Sequence, residues 1–222
     1  MILGIFRILG IILFLYLTWR NLREDYREED LISYSWLSML AFFLGGRLIF
    51  GLMNWGIWNE NYYDWINFWQ KPGISFTGGY VVFLIISYLV ANQRGWKLLT
   101  LAEDIINSFM VFISLIFLEE VFKSNFDLKS VSLFLALIFG WFLTSRVKKK
   151  YRSFVWYKSG KKGFAYFFAN FIIMFLLGLI LFWFKEDMVY PILYLSGSLI
   201  FLIGLFILGE VFEPLQILGR KK

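Results

Sequence analysis

The run FAYFFANFIIMFLLGLILFWF, residues 164–184, decides the fold. It is apolar almost throughout, interrupted by little more than Asn170 and Gly178. Its length meets the roughly 20 residues that a helical membrane span needs. A strand of a transmembrane barrel would alternate apolar and polar positions over about ten residues. No such alternation occurs here, so the run reads as a transmembrane helix.

Outward from it, similar runs recur along the whole chain. Of the 222 residues, 59% are hydrophobic and 22% aromatic, and only three are proline, which is beyond the apolar share of a soluble domain. The expectation is an all-α polytopic membrane protein, a single integral membrane domain over residues 1–222. Its spans are expected at about 2–18, 31–53, 74–92, 98–122, 131–145, 164–184 and 189–208. The first span has the length of a signal peptide, but Trp19-Arg20-Asn21-Leu22-Arg23 follows it rather than a small-residue cleavage site, so it reads as a retained helix. Residues 54–71 hold Trp55, Trp58, Tyr62, Tyr63, Trp65, Phe68 and Trp69, rings that favour the headgroup level, and read as an interfacial connector. Residues 146–163 read as a basic cytoplasmic loop, with eight Lys or Arg and no acid.

Lysine and arginine sort by side of the membrane. The connectors after spans one, three, five and seven hold three, two, eight and three of them, and the other connectors one or two each. This places the N-terminus outside and the C-terminus inside. The net charge of +6 is thereby explained without a nucleic-acid partner.

The residue types exclude several chemistries. Cysteine and histidine are both absent. There is no thiolate metal site, no cysteine nucleophile and no histidine base, and acid–base work would fall to carboxylates, Lys, Tyr or water. No phosphate-binding glycine loop and no metal-ligand cluster is present, so neither a metal nor a cofactor is expected.

What remains is charge inside apolar sequence. Arg47 stands deep in the second span after Gly45-Gly46, and an intramembrane arginine is a functional-site hypothesis by default. In the expected topology Arg47, Arg7, Glu119, Glu120 and the start of the third span, Thr77-Gly78-Gly79, reach the outer side together. The functional reading is a pocket for an anionic headgroup with Arg47 on the phosphate, since a guanidinium's planar fork suits phosphate oxygens. The structural reading is an ion pair plus close-packing glycines. Arg7 reads first as a snorkelling residue. Glu103 and Asp104 read as solvated or paired with Arg94 or Lys97 near the inner interface, and Asn107, Ser108 and Ser114 as interhelical hydrogen-bonders.

Three segments carry a family resemblance: Phe43-Leu44-Gly45-Gly46-Arg47-Leu48-Ile49-Phe50; the pattern W-x-x-x-G-x-S-F-x-G-G over residues 69–79; and, more weakly, Leu101-Ala102-Glu103-Asp104. Across residues 31–122 the chain resembles the prolipoprotein diacylglyceryl transferases. The resemblance implies a multi-pass protein of a bacterial cytoplasmic membrane. It would move diacylglycerol from phosphatidylglycerol to the cysteine thiol of a lipobox preprolipoprotein, so its partners would be a phosphatidylglycerol-like phospholipid and that protein. By match, Arg47, Gly46, Gly78 and Gly79, joined by Arg7, would bind the lipid headgroup, and Glu119, Glu120 and Thr77 would stand at the catalytic positions. Family members generally carry histidine where Thr77 stands, and an arginine- and asparagine-rich signature in the region of residues 109–120 that is missing here. The alternative is therefore a non-catalytic phospholipid-binding or accessory protein on the same scaffold; a small transporter is a weaker third reading.

Overall fold

A computed structural model describes residues 3–53, 73, 75–151, 163–185 and 188–209. The described residues form seven α-helices and no strand: α1 Leu3–Leu22, α2 Glu28–Met53, α3 Phe76–Gln93, α4 Leu98–Lys123, α5 Leu128–Lys150, α6 Phe164–Trp183 and α7 Val189–Leu208. All seven are long and apolar enough to cross a membrane. The expected all-α, seven-helix class is therefore the observed one. The aromatic connector at 54–71 and most of the basic loop, residues 152–162, lie outside the described residues.

Local chemistry sets the helix ends. α2 opens on Glu28, Glu29 and Asp30, acids that complement the positive end of a helix dipole. Ser75 caps α3, its Oγ accepting the Gly78 N–H at 3.2 Å. Asp127 caps α5, accepting from the Lys129 and Ser130 amides. α5 is longer than the span expected at 131–145. Its last turn carries Lys148, Lys149 and Lys150, good helix formers whose charge suits a helix C-terminus. Between α4 and α5, Asn125 and Phe126 take left-handed backbone, φ 51° and 62°, to turn the chain within a few residues.

The apolar faces point outward as well as inward. Leu37, Leu40, Leu44, Leu48 and Leu52 recur at helical spacing on α2 and are all exposed. In water this stripe would be a liability; in hydrocarbon it is the solvated face.

The chain divides into two compact units, residues 18–98 and residues 1–17 with 99–222. The first contains α2 packed on α3. Tyr34 Oη and Ser87 Oγ share a buried hydrogen bond of 2.8 Å between these helices. Below it the Trp96 ring lies 4.5 Å from the Tyr26 ring and 5.9 Å from that of Tyr34, and Arg94 pairs with Asp30. The second unit contains the start of α1 and α4 to α7. Phe14 is fully buried against Phe109 and Phe112, with ring centroids 6.4 and 6.2 Å away. α6 packs on both α5 and α7. Gly178 lets Leu195 approach so closely that a Cβ there would stand 2.8 Å from its side chain.

Candidate functional site

The eight residues singled out from the sequence fall into the two units. Gly46, Arg47, Thr77, Gly78 and Gly79 belong to the unit of residues 18–98; Arg7, Glu119 and Glu120 belong to the other.

In the first unit the site is built where α2 crosses the start of α3. Gly45 admits Val82, and Gly78 admits Ile49. A Cβ on Gly79 would stand 2.7 Å from the Phe42 carbonyl oxygen and 3.0 Å from its ring. The small residues therefore bring the two backbones together, as glycine pairs do between membrane helices. The backbones also bond directly: the Ser75 N–H donates to the Gly46 carbonyl at 2.9 Å. Phe76 packs edge-on against Phe42 with centroids 5.3 Å apart.

Arg47 is one and a half turns from the end of α2 and only 3% exposed. Its Nη1 donates to the Gly73 carbonyl at 2.8 Å, two residues before the cap of α3. The guanidinium is thereby held beside a helix N-terminus. A helix start presents unpaired N–H groups and a partial positive charge, which favours anions. A buried arginine and a helix start thus share one corner of the α2–α3 crossing. The Gly73 carbonyl accepts from one of the five guanidinium N–H donors.

In the second unit Arg7 Nε donates to Glu119 Oε2 at 2.9 Å, and Lys123 Nζ lies 2.6 Å from Glu119 Oε1. The Glu119 side chain is 3% exposed, whereas Arg7 and Lys123 are about one-third exposed. Both oxygens of a buried carboxylate are thus engaged by cations that reach back toward the surface. Phe6 stacks on Phe122 at 5.4 Å and holds α1 against the end of α4. Glu120, the neighbour, is exposed.

At the other end of α4 the acids meet partners that the sequence did not indicate. Asp104 pairs with Lys148 at 2.8 Å, and Glu103, 4% exposed, accepts the Gly163 N–H. Arg94 pairs with Asp30 in its own unit. Asp104 meets a lysine forty-four positions away because α4 and α5 run antiparallel there. Ser114 bonds the Met110 carbonyl of its own helix rather than a neighbouring helix.

Sequence reasoning missed the parts that are backbone: the Gly73 carbonyl under Arg47 and the Gly46 carbonyl under Ser75. A serine three residues before Gly78 was a readable cap signal. The four-residue spacing of Glu119 and Lys123 was a readable pair signal. Among the described residues no group of three or more carboxylates is placed to hold a metal.

No family model matches the chain, and no curated protein matches it.

Proposed function

We propose that this seven-helix membrane protein binds the phosphate headgroup of a phosphatidylglycerol-like phospholipid at Arg47, beside the start of α3. The observation that carries the reading is Arg47 itself: a guanidinium 3% exposed, within a membrane-length helix, placed against a helix N-terminus by paired glycines. Holding a charge there is costly, and such residues generally serve an ion or ligand.

The resemblance to the diacylglyceryl transferases names the reaction. The thiol of a lipobox cysteine gives up its proton to a base or to the departing phosphate, its sulfur forms a bond to the glyceryl carbon, the carbon–oxygen bond to phosphate breaks, and glycerol phosphate leaves with the electron pair. Arg47 would stabilise the charge growing on the phosphate, Gly46 through its carbonyl and Gly78 and Gly79 through close packing would hold the start of α3 beside it, and Thr77 of the same unit would stand at a catalytic position. Membership of that family, residence in a bacterial cytoplasmic membrane, an external N-terminus and an internal C-terminus are parts of the same proposal.

A second reading, a non-catalytic lipid-binding or accessory protein, is favoured by two observations. Both oxygens of Glu119 are committed to Arg7 and Lys123. Thr77 offers a hydroxyl, which hydrogen-bonds phosphate but does not accept a thiol proton near neutral pH.

The test supplies the purified chain with labelled phosphatidylglycerol and a lipobox peptide. Thioether-linked diacylglycerol on the peptide, lost in Arg47→Ala, establishes the transferase. Saturable phosphatidylglycerol binding without product, also lost in Arg47→Ala, establishes the accessory protein. Neither binding nor product overturns the headgroup reading.

A further inference from the structure

The seam where α4, α5 and α6 meet, toward the N-terminus of α4, contains polar atoms that the headgroup reading does not use. Two contacts set the antiparallel register of α4 and α5. Asp104 bonds Lys148, and a Cβ at Gly140 would touch Met110 Cε at 3.4 Å. One helical turn inward from each contact, this register sets Asn107 at the level of Thr144. Ile106, Met110 and Ala169 form one buried cluster, which sets Asn170 of α6 at the same level.

Asn107 Oδ1 and Thr144 Oγ1 are both buried and have no hydrogen-bond partner among the described residues, and Thr144 is fully buried. Two unsatisfied oxygens at one level of a membrane helix seam are costly, because hydrocarbon supplies no donor. One turn along the same face of α4 lies Glu103, 4% exposed, whose carboxylate accepts the neutral Gly163 amide. Asp104 beside it is matched by Lys148. The seam thus presents one carboxylate with a neutral donor and two orphaned oxygens, with nitrogen and sulfur ligands absent from the set.

We propose that Glu103, Asn107 and Thr144 bind a monovalent metal cation of sodium or potassium size. An all-oxygen set suits hard cations. A single uncompensated carboxylate matches one positive charge. A divalent ion would call for further acids, and no such cluster exists among the described residues. A bound water would satisfy Asn107 and Thr144 but leave the Glu103 charge unanswered; the ion answers that charge and takes the other two oxygens as ligands.

The experiment measures unfolding of the full chain in detergent by tryptophan fluorescence, in sodium, potassium or choline chloride at equal ionic strength. An ion that binds only the folded state raises the midpoint, and the expected rise over choline is about 5 °C, saturating with sodium or potassium. Thr144→Val, which keeps the side-chain shape, and Glu103→Gln, which keeps an acceptor for Gly163, are each expected to abolish the rise while helicity by circular dichroism is retained. Ser196→Ala, at an exposed serine, keeps it. Equal midpoints in all three salts overturn the proposal and favour a water. A rise that survives in both variants also overturns it. Should a variant fail to fold, equilibrium binding of radioactive sodium or rubidium to the wild-type chain decides: stoichiometric binding supports the site, and none overturns it.

Discussion

Two arginines in apolar helices are handled in opposite ways. Arg7 donates to a carboxylate that Lys123 shares, and the group of three is a charge-to-charge arrangement with its cations partly exposed. Arg47 is buried and donates to a neutral carbonyl at the start of a helix. The first arrangement keeps an acid in an apolar helix by surrounding it with positive charge. The second sets a charge against main-chain groups at the start of a helix. The difference teaches that a charge in a membrane span can be held by side chains of opposite sign or by main-chain groups at a helix start.

The contrast breaks most sharply at Glu119. Arg7→Leu leaves the buried Glu119 carboxylate with Lys123 alone, and the expected loss is about 3 kcal/mol, measured as unfolding free energy in detergent. The double variant Arg7→Leu with Glu119→Leu should recover part of that loss, since a buried pair replaced by apolar residues is often close to neutral. Full additivity of the two single changes would show that the pair is not coupled.

At the Arg47 end the corresponding test is steric. Gly79→Ala drives a methyl group to 2.7 Å from the Phe42 carbonyl, and separating α2 from α3 should cost about 2 kcal/mol and weaken phosphatidylglycerol binding in parallel. Gly4→Ala, where nothing lies within 4 Å, should change stability by less than about 0.5 kcal/mol. A stability loss at Gly79 with lipid binding intact would separate helix packing from the headgroup corner.

Smaller effects sharpen the picture. Tyr34→Phe removes the buried bond to Ser87 that ties the far end of α2 to α3, and about 1 kcal/mol should be lost with little change in lipid binding. Asp127→Ala removes the α5 cap and should also cost about 1 kcal/mol, or somewhat less because the cap is solvent-exposed.

Much of this fold is legible in the sequence because a membrane helix must satisfy its backbone internally and cover its own length with apolar side chains. The run at 164–184 and its counterparts therefore declare themselves one by one. The end of α5 was less readable: lysines look like a loop to hydropathy, yet a helix carries them readily past the apolar boundary. Arg47 and the paired glycines were legible as exceptional residues in an apolar setting. Their bonding was not, because it runs to main-chain carbonyls that any residue type could provide.

The sequence by itself determined a helical membrane protein, the number of its spans, the absence of thiol and imidazole chemistry, and the few charges that apolar helices must accommodate. Only the tertiary structure decided which partner each charge has: Lys148 for Asp104, Arg7 and Lys123 for Glu119, the Gly73 carbonyl for Arg47. The physical reason is that span formation depends on transfer of a local segment into hydrocarbon, whereas pairing depends on helix register, which joins residues far apart in the chain.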